Sequence, residues 1–180
     1  MSKTTLRKEL LQLEKHQLIE LILSVYGSSK ETKEYFEFYI DPRPDELYDE
    51  YQEMIIKEFR RTRRGRYSKA RISKIKSAIK RFSTFEPGND YVLRLYLFAI
   101  HHSLLVERNL DFNTTLFNGV ARLVDDVLKY ANKSGQFNEA LEGLSTLCRN
   151  RVGTSRFTNL IDQTLSSFIN NPANNVGNLR

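Results

Sequence analysis

The stretch Tyr91-Val92-Leu93-Arg94-Leu95-Tyr96-Leu97-Phe98-Ala99-Ile100-His101-His102-Ser103-Leu104-Leu105-Val106 decides the fold. Twelve of its sixteen residues are apolar, and on a helical wheel they point in every direction, which is the mark of a helix buried on all sides. It falls short of the roughly 20 residues needed to cross a bilayer, and Arg94, His101 and His102 interrupt it, so no membrane span is expected. It reads as the central helix of a soluble bundle.

Working outward, Glu86-Pro87-Gly88-Asn89 is the plainest break in the chain and the place where two subdomains would part, with Asn89 or Asp90 capping the central helix. Before it, Ile72, Ile75, Ile79 and Phe82 recur on one face of a helix predicted over residues 68–82, with Ser73 and Ser77 at the centre of the opposite face. Lys69, Lys76 and Lys80 flank those serines on one side, Lys74 and Arg81 on the other. Upstream again, Pro44 opens a helix predicted to run to about residue 63, on which Leu47, Tyr48, Tyr51, Ile55 and Phe59 recur. Acidic residues fill its first turns and basic ones its end, complementing the helix dipole. The N-terminal residues predict three shorter helices, over 5–13, 15–26 and from Ser28. Gly27 would close the second, and Ser28 with Glu31 has the form of a capping box.

Beyond the central helix, Asn113 or Thr114 caps a helix to about residue 133, with Leu116, Phe117, Val120, Leu123, Val124, Val127, Leu128 and Ala131 as its apolar face. Gly135 closes it. Phe137, Leu141, Leu144 and Leu147 mark another, and Thr154 caps a last one in which Phe157, Leu160, Ile161, Leu165 and Phe168 point inward. No stretch alternates strictly between apolar and polar residues, so the expected fold is all-α, an irregular bundle of eight or nine helices, with a short superhelix of stacked helix hairpins as the alternative. One helical domain is expected over residues 1–169. Residues 170–180 are Asn-rich with Pro172 and Gly177, and are expected to be a disordered tail.

The segments Leu6-Arg7-Lys8-Glu9-Leu10, Gln17-Leu18-Ile19-Glu20-Leu21-Ile22 and Lys33-Glu34-Tyr35-Phe36 resemble the start of an uncharacterised bacterial family of all-helical proteins, a domain of unknown function. The similarity extends through residues 58–80. It implies a helical protein and supplies no activity, ligand or functional residue.

The formal net charge of +6 is unevenly distributed. Residues 59–85 hold eleven basic residues and no acidic one, which leaves the rest of the chain net negative at about −5. Arg60, Arg61, Arg63, Arg64 and Arg66 surround Gly65, and Lys69, Lys74, Lys76, Lys80 and Arg81 follow on the next helix. Arginine can bind phosphate oxygens in a bidentate fork, and Tyr67 can stack on an unpaired base. These ten basic side chains are the candidate contacts to phosphate or another anionic partner. The competing reading is a solvated face, or one paired internally with the acid-rich residues 31–58.

Other candidates carry less chemistry. The opening helix pair sets Lys3, Arg7, Lys8 and Lys15 against Glu9, Glu14 and Glu20, and its leucines read as core residues. His101 and His102 point about 100° apart and do not converge on one metal; one of them reads as a hydrogen-bonded core residue. Asp125 and Asp126 read as solvated. Cys148 lies beside Arg149 and Arg151, where a lowered thiol pKa is conceivable, but a packed inert thiol is the simpler reading. No phosphate-cradling Gly loop, nucleophile elbow or His-Glu-x-x-His is present. No catalytic residue, cofactor or metal is therefore assigned. One cysteine and no apolar leader in the first thirty residues make the cytoplasm the expected compartment. The expected function is that of a non-enzymatic helical protein binding a macromolecular partner, first a protein, and as the alternative a nucleic acid held through residues 60–81.

Overall fold

The computed structural model describes residues 2–60, 70–108 and 114–170. Among them are nine helices and no strand: α1 (Lys3–Leu10), α2 (Lys15–Ser28), α3 (Lys30–Ile40), α4 (Pro44–Glu58), α5 (Ile72–Thr84), α6 (Asn89–Glu107), α7 (Thr114–Ser134), α8 (Phe137–Arg149) and α9 (Ser155–Ile169). The fold is all-α. No helix among the described residues is long and apolar enough to cross a membrane. The chain divides into two compact units, Met1–Arg43 and Pro44–Arg180. The Glu86–Asn89 break lies inside the second of them, as a turn between helices that pack on each other.

In the first unit α2 packs against α3, with the rings of Tyr26 and Phe36 edge to face at 6.3 Å. Two local expectations shift by a residue. Gly27 is inside α2 instead of closing it, and the cap of α3 is Ser29, whose hydroxyl accepts from the Thr32 amide at 3.1 Å. Ser28 is the last residue of α2, and its hydroxyl donates to the Val25 carbonyl. Serine repeats at 28 and 29, so composition places the cap only to within one residue.

In the second unit the principal packing pairs join helices one or two apart in the chain. α4, α6 and α8 form one layer, α5, α7 and α9 the other. Each helix of this all-α fold thus packs on the helices next to it and next but one in the chain. It also explains the all-round apolarity of α6, which packs on α4, α5, α7 and α8. Val92, Leu95, Ala99, Ile100 and Leu104 are buried, whereas Arg94 and Leu105 stay exposed.

Aromatic packing locks the first hairpin. Phe82 of α5 is fully buried against Tyr48 and Tyr51 of α4, at 6.3 and 5.2 Å between ring centroids. The turn into α6 carries Gly88 at φ 116°, a conformation that L side chains rarely adopt, and Gly88 stands in the cap position expected of Asn89 or Asp90. Thr154 does precede α9, but its hydroxyl donates to the buried carboxylate of Glu107 at 3.1 Å instead of accepting from a helix amide. Of the expected 44–63 helix, the part described ends at Glu58, and α5 begins at Ile72; residues 61–69 lie outside the described residues, as do 171–180 of the expected tail.

Two fine features set helix positions. A Cβ on Gly119 of α7 would stand 2.7 Å from Cγ1 of Ile72, so α5 and α7 approach as closely as they do because residue 119 has no side chain. Ile72 is β-branched and buried, and cannot swing away. Gly119→Val is therefore expected to destabilise the protein by about 1–3 kcal/mol, read from urea unfolding followed by circular dichroism; an unchanged midpoint would mean that the two helices are not in contact here.

His102 is half-buried between the ring of Phe98, stacked at 5.9 Å, and that of Phe59, edge-on at 5.3 Å. Burial, and then the neighbouring His101, lower its pKa from the ordinary 6.5. A proton thus binds the unfolded chain more readily than the folded one. His102 costs no stability above pH 6.5 and an increasing amount as pH falls from there toward the lower folded-state pKa. Urea midpoints measured down this range should fall with pH, and His102→Phe should flatten the fall; an equal slope in the variant would place the titration elsewhere.

Candidate functional site

The helix α5 has one buried face of Ile72, Ile75, Ile79 and Phe82, so its basic residues leave on two opposite flanks. The two flanks meet different neighbours. On the α4 side, Glu58 pairs with Arg71 at 3.6 Å and Lys74 at 3.5 Å, and Glu53 takes Arg60 at 2.9 Å. Part of the basic segment is thus neutralised by the acidic helix before it. Arg81 sits half-buried. Arg61, Arg63, Arg64, Arg66 and Lys69 lie outside the described residues.

On the α7 side the outcome differs. Lys76, Ser77, Lys80 and Ser83 of α5 face Asp126, Lys129, Tyr130 and Lys133 of α7 across a groove of about 430 Å³, with Tyr96 of α6 in its lining. Lys76 and Lys80 stand one turn apart, and so do Lys129 and Lys133, so each helix presents two ammonium groups along the same edge. Lys76 pairs with Asp126 at 2.5 Å and Lys129 with Asp125 at 2.6 Å. The two aspartates are therefore ion-paired, where the sequence suggested solvation. Among the described residues no carboxylate pairs with Lys80 or Lys133.

The groove is polarised to stay cationic. Donation to Asp125, above all, raises the pKa of Lys129 above its ordinary 10.5. Tyr96 is pushed up to about 12 by burial, and then by the charge of Asp126 and by Tyr130, so its phenol remains protonated at any physiological pH. Burial, with Asp90 as the second cause, likewise raises Tyr130. The two rings lie tilted at 5.7 Å, and the Tyr130 hydroxyl is fixed on Asn89 Oδ1 at 3.1 Å. Four lysines and two tyrosine rings thus line one groove.

Sequence reasoning found Lys76 and Lys80 but missed Lys129, Lys133, Tyr96 and Tyr130, because it grouped charge by contiguity along the chain. The signal that would have found Lys129 and Lys133 is the i, i+4 pair of lysines on the polar edge of α7, matched to the same pair on α5.

A second groove of about 500 Å³ lies in the other layer, lined by Tyr48, Arg94, Leu97, His101, Glu139 and Glu142 among others. The Arg94 guanidinium rests over the rings of Tyr48 and Tyr91, at 4.7 and 5.1 Å. Its charges are of mixed sign. Cys148 proves to be the reverse of an activated thiol: burial first, and then the charge and hydrogen bond of Asp162, push it up to about 11.

Comparison with curated proteins and with solved structures finds no match. The sequence pattern of the Family of unknown function (DUF6155) matches residues 1–163, a span that takes in the first unit, the second as far as residue 163 and every residue of the lysine groove, and the chain belongs to that family.

Proposed function

We propose that this protein is a non-enzymatic helical binding protein whose second unit holds a phosphate-bearing polymer, a nucleic acid, along the groove between α5 and α7. The observation that carries this reading is the convergence of four lysines from two helices on one edge, two of them without a carboxylate partner among the described residues. Phosphate-directed binding needs a row of cations with a flat surface beside it, and Tyr96 and Tyr130 supply that surface. The groove of mixed charge in the other layer fits a polyanion less well.

Fluorescence anisotropy with labelled single-stranded RNA and duplex DNA across a salt series tests the proposal. Binding in the range of about 10⁻⁴–10⁻⁶ M is expected, with log affinity falling by about 0.9 per phosphate contact for each tenfold rise in salt on duplex. Failure to bind either polymer at low salt overturns it.

A further inference from the structure

The first unit has an imbalance that the second does not. Of the thirteen large hydrophobic side chains exposed among the described residues, eleven belong to residues 6–40. No residue of α1, α2 or α3 is buried. Tyr39 is 72% exposed, Ile40 78% and Leu23 56%. On α2 the apolar positions form two adjoining stripes, Ile19-Leu23-Tyr26 and Leu18-Ile22-Val25, which together cover about half the circumference. The seam with α3, made where Tyr26 meets Phe36, leaves apolar side chains of both stripes exposed, Ile19 and Leu23 on one and Ile22 and Val25 on the other.

We infer that residues 1–43 are a self-association unit, whose occupant is the same helical hairpin of a second copy of this chain. Three observations select that occupant. The first is area: eleven large apolar side chains at these exposures present a surface on the order of the ~800 Å² that each partner buries in a stable interface. The second is charge. Residues 1–43 hold seven Lys and Arg against seven Asp and Glu, so this unit is neutral and the whole net charge of +6 is carried by the remainder. Two copies of a neutral, sign-interspersed surface approach without net repulsion, and a two-fold axis repeats every contact between them. A lipid surface would instead select an excess of Lys and Arg beside the apolar stripe. The third is size. A unit of this size in which no described residue has a buried side chain is at the limit below which a chain needs another element to fold against, and two helical hairpins packed together make a four-helix core.

Sedimentation velocity of the full chain over a range of concentrations, wild type beside Ile22→Glu/Val25→Glu, tests this. The two substitutions lie one turn apart on one of these two exposed stripes, Ile22 at 47% and Val25 at 43%. The wild type is expected to sediment at twice the 21.1 kDa chain mass, and the double variant as a monomer with helical circular dichroism retained, its dimer dissociation constant raised by about a hundredfold or more. Should the double variant lose helix, Ile22→Asn alone provides the same comparison with a smaller change. A monomeric wild type overturns the inference, whether it then floats with neutral phosphatidylcholine vesicles or stays free of them. A dimer of undiminished affinity in the variants overturns it as well, since the interface would lie elsewhere. None of these outcomes bears on nucleic-acid binding by the second unit, which is read separately by anisotropy.

Discussion

Replacing Phe82 with Ala is expected to remove about 3–5 kcal/mol of unfolding free energy, the range for deleting a buried aromatic ring whose surroundings relax only in part. Phe82 is fully buried, and the rings of Tyr48 and Tyr51 rest on it from α4. Tyr51 also meets Phe85 edge-on at 6.3 Å, so the cavity would open at the centre of a four-ring cluster that cannot collapse without moving α4 off α5. Urea unfolding followed by circular dichroism measures the loss. Because α5 carries Lys76 and Lys80, the same substitution should also loosen one wall of the lysine groove. A loss below about 1 kcal/mol, the level of an ordinary surface change, would mean that α4 and α5 do not share this core.

Reversing charge at Lys80 and Lys133 is expected to weaken oligonucleotide binding by about tenfold or more and to lower the salt slope by about two, one for each lost phosphate contact. These two lysines face the groove from different helices. The double variant Lys80→Glu/Lys133→Glu reduces the net charge by four. So does Lys30→Glu/Lys33→Glu in the first unit, where both lysines already pair with Glu34 and Glu37 along α3. If binding follows net charge alone, the two double variants lose affinity equally. If it follows the groove, the first loses far more. Anisotropy at one fixed low salt concentration separates the cases, and equal losses would contradict the groove.

Much of the fold was legible because burial leaves a periodic trace. The apolar positions of α5, α7 and α9 were read at helical spacing, and Ile72, Ile75, Ile79, Phe82, Val120, Leu123, Phe157 and Ile161 are buried as that spacing requires. Helix ends were less legible. Neighbouring Ser28 and Ser29, or Gly88 before Asn89 and Asp90, offer caps of similar strength, and backbone geometry chooses among them. The order of helix packing leaves almost no local trace, since a helix that meets four neighbours carries the same all-round apolar surface whichever helices those neighbours are. The site was half legible for the same reason. Lys74 and Lys76 are two residues apart in the chain yet lie on opposite flanks of α5, one against Glu58 and the other against Asp126. Contiguity put them in one patch, whereas packing assigns one to neutralisation and the other to the groove. Lys129 and Lys133 joined the site only through the close approach of α5 and α7 that Gly119 permits.

The most direct measurement is lysine acetylation footprinting by mass spectrometry, with and without a saturating single-stranded oligonucleotide. The groove predicts protection of Lys76, Lys80, Lys129 and Lys133 together, with Lys30 and Lys33 modified as fast as in the free protein. Protection that leaves Lys80 and Lys133 untouched would contradict it.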